Sequence, residues 1–190
     1  MSSNLSDFFI WPTTFSCSLI ISDIILPVNY NLTVGIMPEY GTPVSSVGLT
    51  KIKKFVTSFV QNSIIIHKNH SILPNILSLS TNTIQLPQDP TDYFFSSILY
   101  HKLSNITKDY FIVRQLTIDS TAGDHVKYQI NESCDTYKKV LNTTGWWGRD
   151  DVSTNDTHFF PTWEELDIHT TNRFSPKIIK GGRNGVKSFQ

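Results

Sequence analysis

The chain has 190 residues, 39% hydrophobic and 12% aromatic, enough to bury a core without disulfide or metal staples. Only 17% are charged and the formal net charge is zero, so Ser, Thr and Asn carry most of the polarity. That balance excludes a strongly basic nucleic-acid binder and an acidic disordered chain as descriptions of the whole.

The charge is segregated all the same. Residues 1–50 hold three acids and no Lys or Arg, and residues 51–108 hold six Lys against Asp89 and Asp92. Residues 109–167 hold eleven acids against five bases. Residues 168–190 hold five bases (Arg173, Lys177, Lys180, Arg183, Lys187) and no acid. The expected organisation is one α+β domain over 1–170 and a basic, Gly-containing tail over 171–190. The tail either folds back on the acidic region or meets a partner, with weak, salt-dependent nucleic-acid contact as one use. Cys17 and Cys134 make no disulfide framework. The opening residues lack the positive segment of a signal peptide. The run from Leu19 to Leu26 is broken by Ser22 and Asp23, ends at Pro27, and is too short to span a bilayer. No membrane association is expected. The seven Asn-X-Ser/Thr matches, from Asn4 to Asn155, follow from the abundance of those residues.

In chain order, the apolar segment Phe15 to Leu26 predicts a strand. Tyr30, Leu32, Val34 and Ile36 alternate with Asn31, Thr33 and Gly35 and predict another. The long loop from Pro38 to Gly48 is of a kind that holds sites. A helix is expected from Thr50 to Gln61. There Ile52, Phe55, Val56, Phe59 and Val60 form one face, Lys51, Lys53 and Lys54 sit off it, and Thr50 caps the start. Ser63 to His67 reads as a short strand and Ile76 to Leu86 as a long one. Asp89-Pro90-Thr91-Asp92 opens a second helix to Ile106, striped by Phe95, Ile98, Leu99, Leu103 and Ile106. Tyr110 to Ile118 and Val126 to Ile130 predict two strands joined by a hairpin loop, with Gly123 supplying positive φ. Thr162 and Glu165 fit a capping box at the start of a short helix.

This order predicts a mixed or antiparallel sheet with two main helices on one face. Its sharper form is a ferredoxin-like βαββαβ core, strained by a link of about one residue between the first helix and Ser63.

No phosphate loop, Gly-x-Ser-x-Gly elbow or Cys-x-x-Cys pair occurs. The enzymatic alternative is a metal-dependent hydrolase or nuclease, in which converging carboxylates and imidazoles hold a divalent cation and acidify its water. Its catalytic candidates are Asp119, Asp124 and His125. Its wider ligand set adds Asp150, Asp151 and His158, with Asp156 nearby, if the two polar loops meet. The competing reading takes these Asp residues as turn formers. His67 with His70, and Glu165 with His169, lack a third ligand. Trp146, Trp147 and Arg149 form the binding candidate. One indole is expected to cover the core edge and the other to offer a stacking face, although Asp150, Asp151 and Asp156 would repel phosphates. The alternative is a structural lid. An RNA-recognition sheet is disfavoured because Ile76–Leu86 carries no aromatic.

The Asn/Ile/Lys/Ser-rich texture of segments such as Phe111-Ile-Val-Arg-Gln-Leu-Thr-Ile-Asp119 and Ser120-Thr-Ala-Gly-Asp-His-Val-Lys-Tyr128 resembles that of small uncharacterised proteins of AT-rich, large tailed bacteriophages. The resemblance covers no motif and carries over no activity or residue. It implies host cytoplasm or virion as the location. The leading expectation is therefore a non-enzymatic accessory or structural protein without a cofactor. It would act by binding a protein partner or itself, exposing strand edges and the Trp146-Trp147 loop.

Overall fold

A computed structural model describes residues 9–38, 44–79, 82–141, 144–157 and 159–168. The tail over 171–190, His158, His169 and part of the loop after Pro38 lie outside these residues.

The fold is α+β, built on a six-stranded mixed sheet. Strands β1 (Phe9–Ile21) and β2 (Ile24–Met37) form one long antiparallel hairpin. Its two-residue turn is Ser22-Asp23, both with left-handed backbone (φ 48° and 66°), the twist that suits tight hairpins. The expected strand across Phe15–Leu26 is thus two strands, turning where the sequence inserts two polar residues into an apolar run.

Ser45 caps α1 (Ser46–Phe55), its hydroxyl accepting from the Gly48 amide. Thr50, the expected cap, lies inside the helix and its hydroxyl donates to the Ser46 carbonyl. The last turn, Val56–Val60, widens to π-helical spacing. Asn62 then takes a left-handed φ of 60° and redirects the chain at once into β3 (Ile64–His67). That residue is what makes the very short link possible.

The expected strand Ile76–Leu86 is corrected. Pro74 in the first turn of α2 (Leu73–Ser78) favours helix there, and only Thr83–Leu86 forms a strand, β4. Leu73 and Ile76, one turn apart, pack with Ile20 and Ile66. Helix α3 (Asp92–Thr107) begins as expected, the Thr91 hydroxyl accepting from the Phe94 amide. Strands β5 (Ile112–Ser120) and β6 (Tyr128–Ile130) and helix α4 (Asp135–Leu141) follow.

The strand order is β4-β3-β1-β2-β5-β6. The β1/β3 and β3/β4 pairs are parallel and the other three antiparallel. A ferredoxin-like core needs an antiparallel β3/β4 pair and a β2 adjacent to β4. Here α2 joins β3 to a parallel β4, and β1 and β3 lie between β2 and β4, so that sharper order is not formed.

Adjacent residues sort to opposite faces, as period two requires. Leu19 and Ile65 point into the main core with α1 and α3, whereas Ile20 and Ile66 point to α2. The two main helices therefore share one face and α2 covers part of the other. The rest of that second face carries mostly neutral polar side chains. Ser16 donates to Asn29 (2.6 Å), Asn31 to Asp119 (2.7 Å) and Gln129 to Gln115 (3.2 Å), each across a strand boundary. The Ser/Thr/Asn-rich composition thus equips this sheet surface with cross-strand hydrogen bonds, Asp119 being the charged group among these pairs.

Candidate functional site

The Asp119 carboxylate ends its strand beside Asn31 and lies 3.1 Å from His125 Nδ1. Burial pushes this carboxyl up, but the hydrogen bonds from Asn31 and His125 outweigh it and hold Asp119 below the usual carboxylate range. Asp124 and His125, not Gly123, take the left-handed backbone, with φ of 50° and 59°. Gly123 is needed for space: a Cβ there would lie 2.7 Å from Asp92 Oδ2. Asp92 in turn accepts from the Tyr30 and Ser120 hydroxyls, which ties the hairpin, β5 and the start of α3 together.

The second acidic loop lies far from the first. Lys102, on the second half of α3, holds Asp151 at 3.1 Å and Lys108, just past its end, holds Asp150 at 3.0 Å, whereas Ser120 meets Asp92 at its first turn. Ten residues of helix separate Asp92 from Lys102, roughly 15 Å of rise. Asp119, Asp124 and His125 therefore do not converge with Asp150 and Asp151. Among the described residues no three His, Cys, Asp or Glu side chains come together as metal ligands. The remaining pairs are local. His67 meets Asp89 at 3.5 Å and His70 meets Asp23 at 3.6 Å. Thr162 and Glu165 do form the reciprocal capping box, although the segment closes as turns and not as a helix.

Trp146 and Trp147 are both buried, on a short 3-10 turn (Trp146–Gly148), edge to face with centroids 5.8 Å apart. The Trp146 indole N–H donates to the Gln85 carbonyl at 2.8 Å. Arg149 pairs with Asp156 at 3.2 Å. Neither indole offers an open stacking face, so this loop has the geometry of the structural lid. Its fastening is Lys102, which sequence reasoning missed. The side chain is fully buried, and its ammonium donates to the carbonyls of Trp146 (3.0 Å) and Arg149 (3.1 Å), to Asp151 and to the Ser153 hydroxyl (3.2 Å). It also sits over the Phe55 and Trp146 rings. Burial pulls its pKa down to about 8, against the opposing pull of Asp151. Beyond the lid, the Gln85 amide donates to the Thr154 carbonyl and the Thr154 hydroxyl to the Thr83 carbonyl, which covers the β4 edge.

One feature left open among the described residues is the hairpin tip. The β5 pairing stops at Tyr30↔Ser120, and Asn29 bonds Thr121 through both its N–H and its carbonyl. Beyond Asn29, the outer edge of β2 has no strand neighbour among the described residues. Ile24, Ile25 and Leu26 are 66, 58 and 38% exposed there. Since Asn29 directs its backbone outward, period-two alternation makes Pro27 and Ile25 do the same. Pro27 has no N–H, so Ile25 alone presents both donor and acceptor. His70 steadies the turn: its Nδ1 accepts from the Ile72 amide at 3.4 Å, which leaves Nε2 to donate toward Asp23. No protein-family model matches the chain, and no curated protein matches it.

Proposed function

We propose that this chain is an accessory or structural protein that works by assembly, with the β1–β2 hairpin tip as its contact. The observation that carries this reading is three consecutive large aliphatic residues, Ile24 to Leu26, on a strand edge with no strand neighbour among the described residues. An incoming strand gains two backbone hydrogen bonds at Ile25 and one at the Pro27 carbonyl, so specificity comes from the side chains. Fully burying three such side chains is worth about 1.5–3 kcal/mol each before ordering costs, enough for a reversible contact. The partner is a protein strand or a second copy. A phage source would put it in the host cytoplasm or the virion.

The test is a photo-crosslinking residue at position 25, with Thr33 on the same strand as control. A discrete adduct from position 25 only, lost with Ile24→Lys, supports the reading. Equal labelling from both positions, or none, removes it.

A further inference from the structure

A cavity of about 330 Å³ lies where the chain leaves β4 and enters α3. Phe94 and Val140, both buried, provide apolar walls, and Tyr93 stands beside them. Gln88, Thr91 and Lys139 supply the polar groups, and none of the lining residues is acidic. Lys139 has no ion pair among the described residues, whereas its neighbour Lys138 is paired with Asp135.

The cavity lies beyond the carboxyl end of β4, between the β4–α3 link, the first turn of α3 and α4. The volume falls inside the range of about 300–1,000 Å³ typical of small-molecule sites.

We infer that this cavity binds a small molecule with a flat apolar body and one anionic group, a carboxylate or a phosphate. The body lies between Phe94, Val140 and Tyr93. The acid group meets donors only: the Lys139 ammonium, the Gln88 amide and the Thr91 hydroxyl, whose oxygen already accepts from Phe94 and whose proton remains to be donated. Two acids adjoin lining residues in sequence: the Asp92 carboxylate is occupied by Tyr30 and Ser120, and Asp89, not itself a lining residue, faces His67 at 3.5 Å. A neutral ligand would gain nothing from the ammonium, which water already solvates, and a cation would be repelled.

Isothermal titration of the full chain with benzoate, phenyl phosphate, benzyl alcohol and inorganic phosphate tests this. Saturable binding of benzoate or phenyl phosphate is expected, with Kd of about 0.1–1 mM for a ligand of this size. Benzyl alcohol and inorganic phosphate should bind at least about tenfold more weakly, because each lacks one half of the recognised chemistry. Preference between the two acids separates a carboxylate site from a phosphate site. Lys139→Gln should cost about tenfold and Lys138→Gln nothing, both being surface changes that leave the fold intact. The inference is overturned by no saturation at ~10 mM, by benzyl alcohol binding as tightly as benzoate, or by equal losses in the two lysine variants.

Discussion

Replacing Lys102 by Met keeps most of the side-chain volume and removes the charge and its hydrogen bonds. Four acceptors lose Lys102 as a partner: the Trp146 and Arg149 carbonyls, the Asp151 carboxylate and the Ser153 hydroxyl. The Trp146 carbonyl keeps the Arg149 amide, and Asp151 keeps the Ser153 amide. The ammonium has three N–H groups to share among them, and at about 1 kcal/mol for each hydrogen bond lost the loss is about 3 kcal/mol. For a chain of this size that lowers Tm by roughly 6–12 °C. The pH dependence is a second readout. The Lys102 pKa lies at about 8 in the folded chain, below the ordinary 10.5, so between these values the unfolded chain binds the extra proton. Stability contributed by this group therefore rises with pH across that window, by about 1 kcal/mol between pH 7 and 9. Lys102→Met lacks this rise, so its deficit against the native chain should be larger at pH 9 than at pH 7. Urea melts followed by tryptophan fluorescence at both pH values measure it, Trp146 and Trp147 lying at the perturbed spot. A variant melting within about 1 °C of the native chain, or a deficit that shrinks as pH rises, would refute the reasoning.

Pro27→Ala restores an outward N–H beside the exposed aliphatics, so sedimentation should show stronger self-association, and Ile25→Lys should reduce it. Gly123→Ala drives a methyl to 2.7 Å from Asp92 Oδ2 and disturbs the Tyr30–Asp92–Ser120 network, with an expected loss of about 1–3 kcal/mol in a denaturant melt. Burial first, and the nearby Asp92 second, push the Cys17 thiol up to about 12, whereas Cys134 is only half-buried. A thiol reagent at pH 8 should therefore modify Cys134 quickly and Cys17 only after unfolding. Rapid modification of both thiols in the native chain would contradict the burial of Cys17.

The elements readable from the sequence are those whose patterns are local. The α1 and α3 stripes repeat at three and four, β2 alternates over eight residues, and Thr91 caps its helix through its own side chain. Sequence failed where distant packing decides. Leu73 and Ile76 make a helical face only because Ile20 and Ile66 lie opposite, and without that contact the following Ser/Thr-rich run reads as one long strand. Ser22-Asp23 carries no Gly or Asn, so the hairpin turn lacked its usual mark. The candidate residues were misread for a related reason. Nothing near Trp146 in sequence says that a lysine 44 residues upstream will take its carbonyl. The exposed aliphatic tip is visible as an apolar run, but the run reads as one continuous strand and not as the turn of a hairpin.

The edges of the sheet also decide which assemblies strand addition can make. Thr154 sits against β4 at one margin, and β6 at the other offers only three residues. Head-to-tail growth requires two complementary margins on each subunit. Besides the hairpin tip, Phe9–Phe15 of β1 has no strand neighbour on the side away from β2 among the described residues, so each copy carries two unlike margins and strand addition has no built-in stop at a pair.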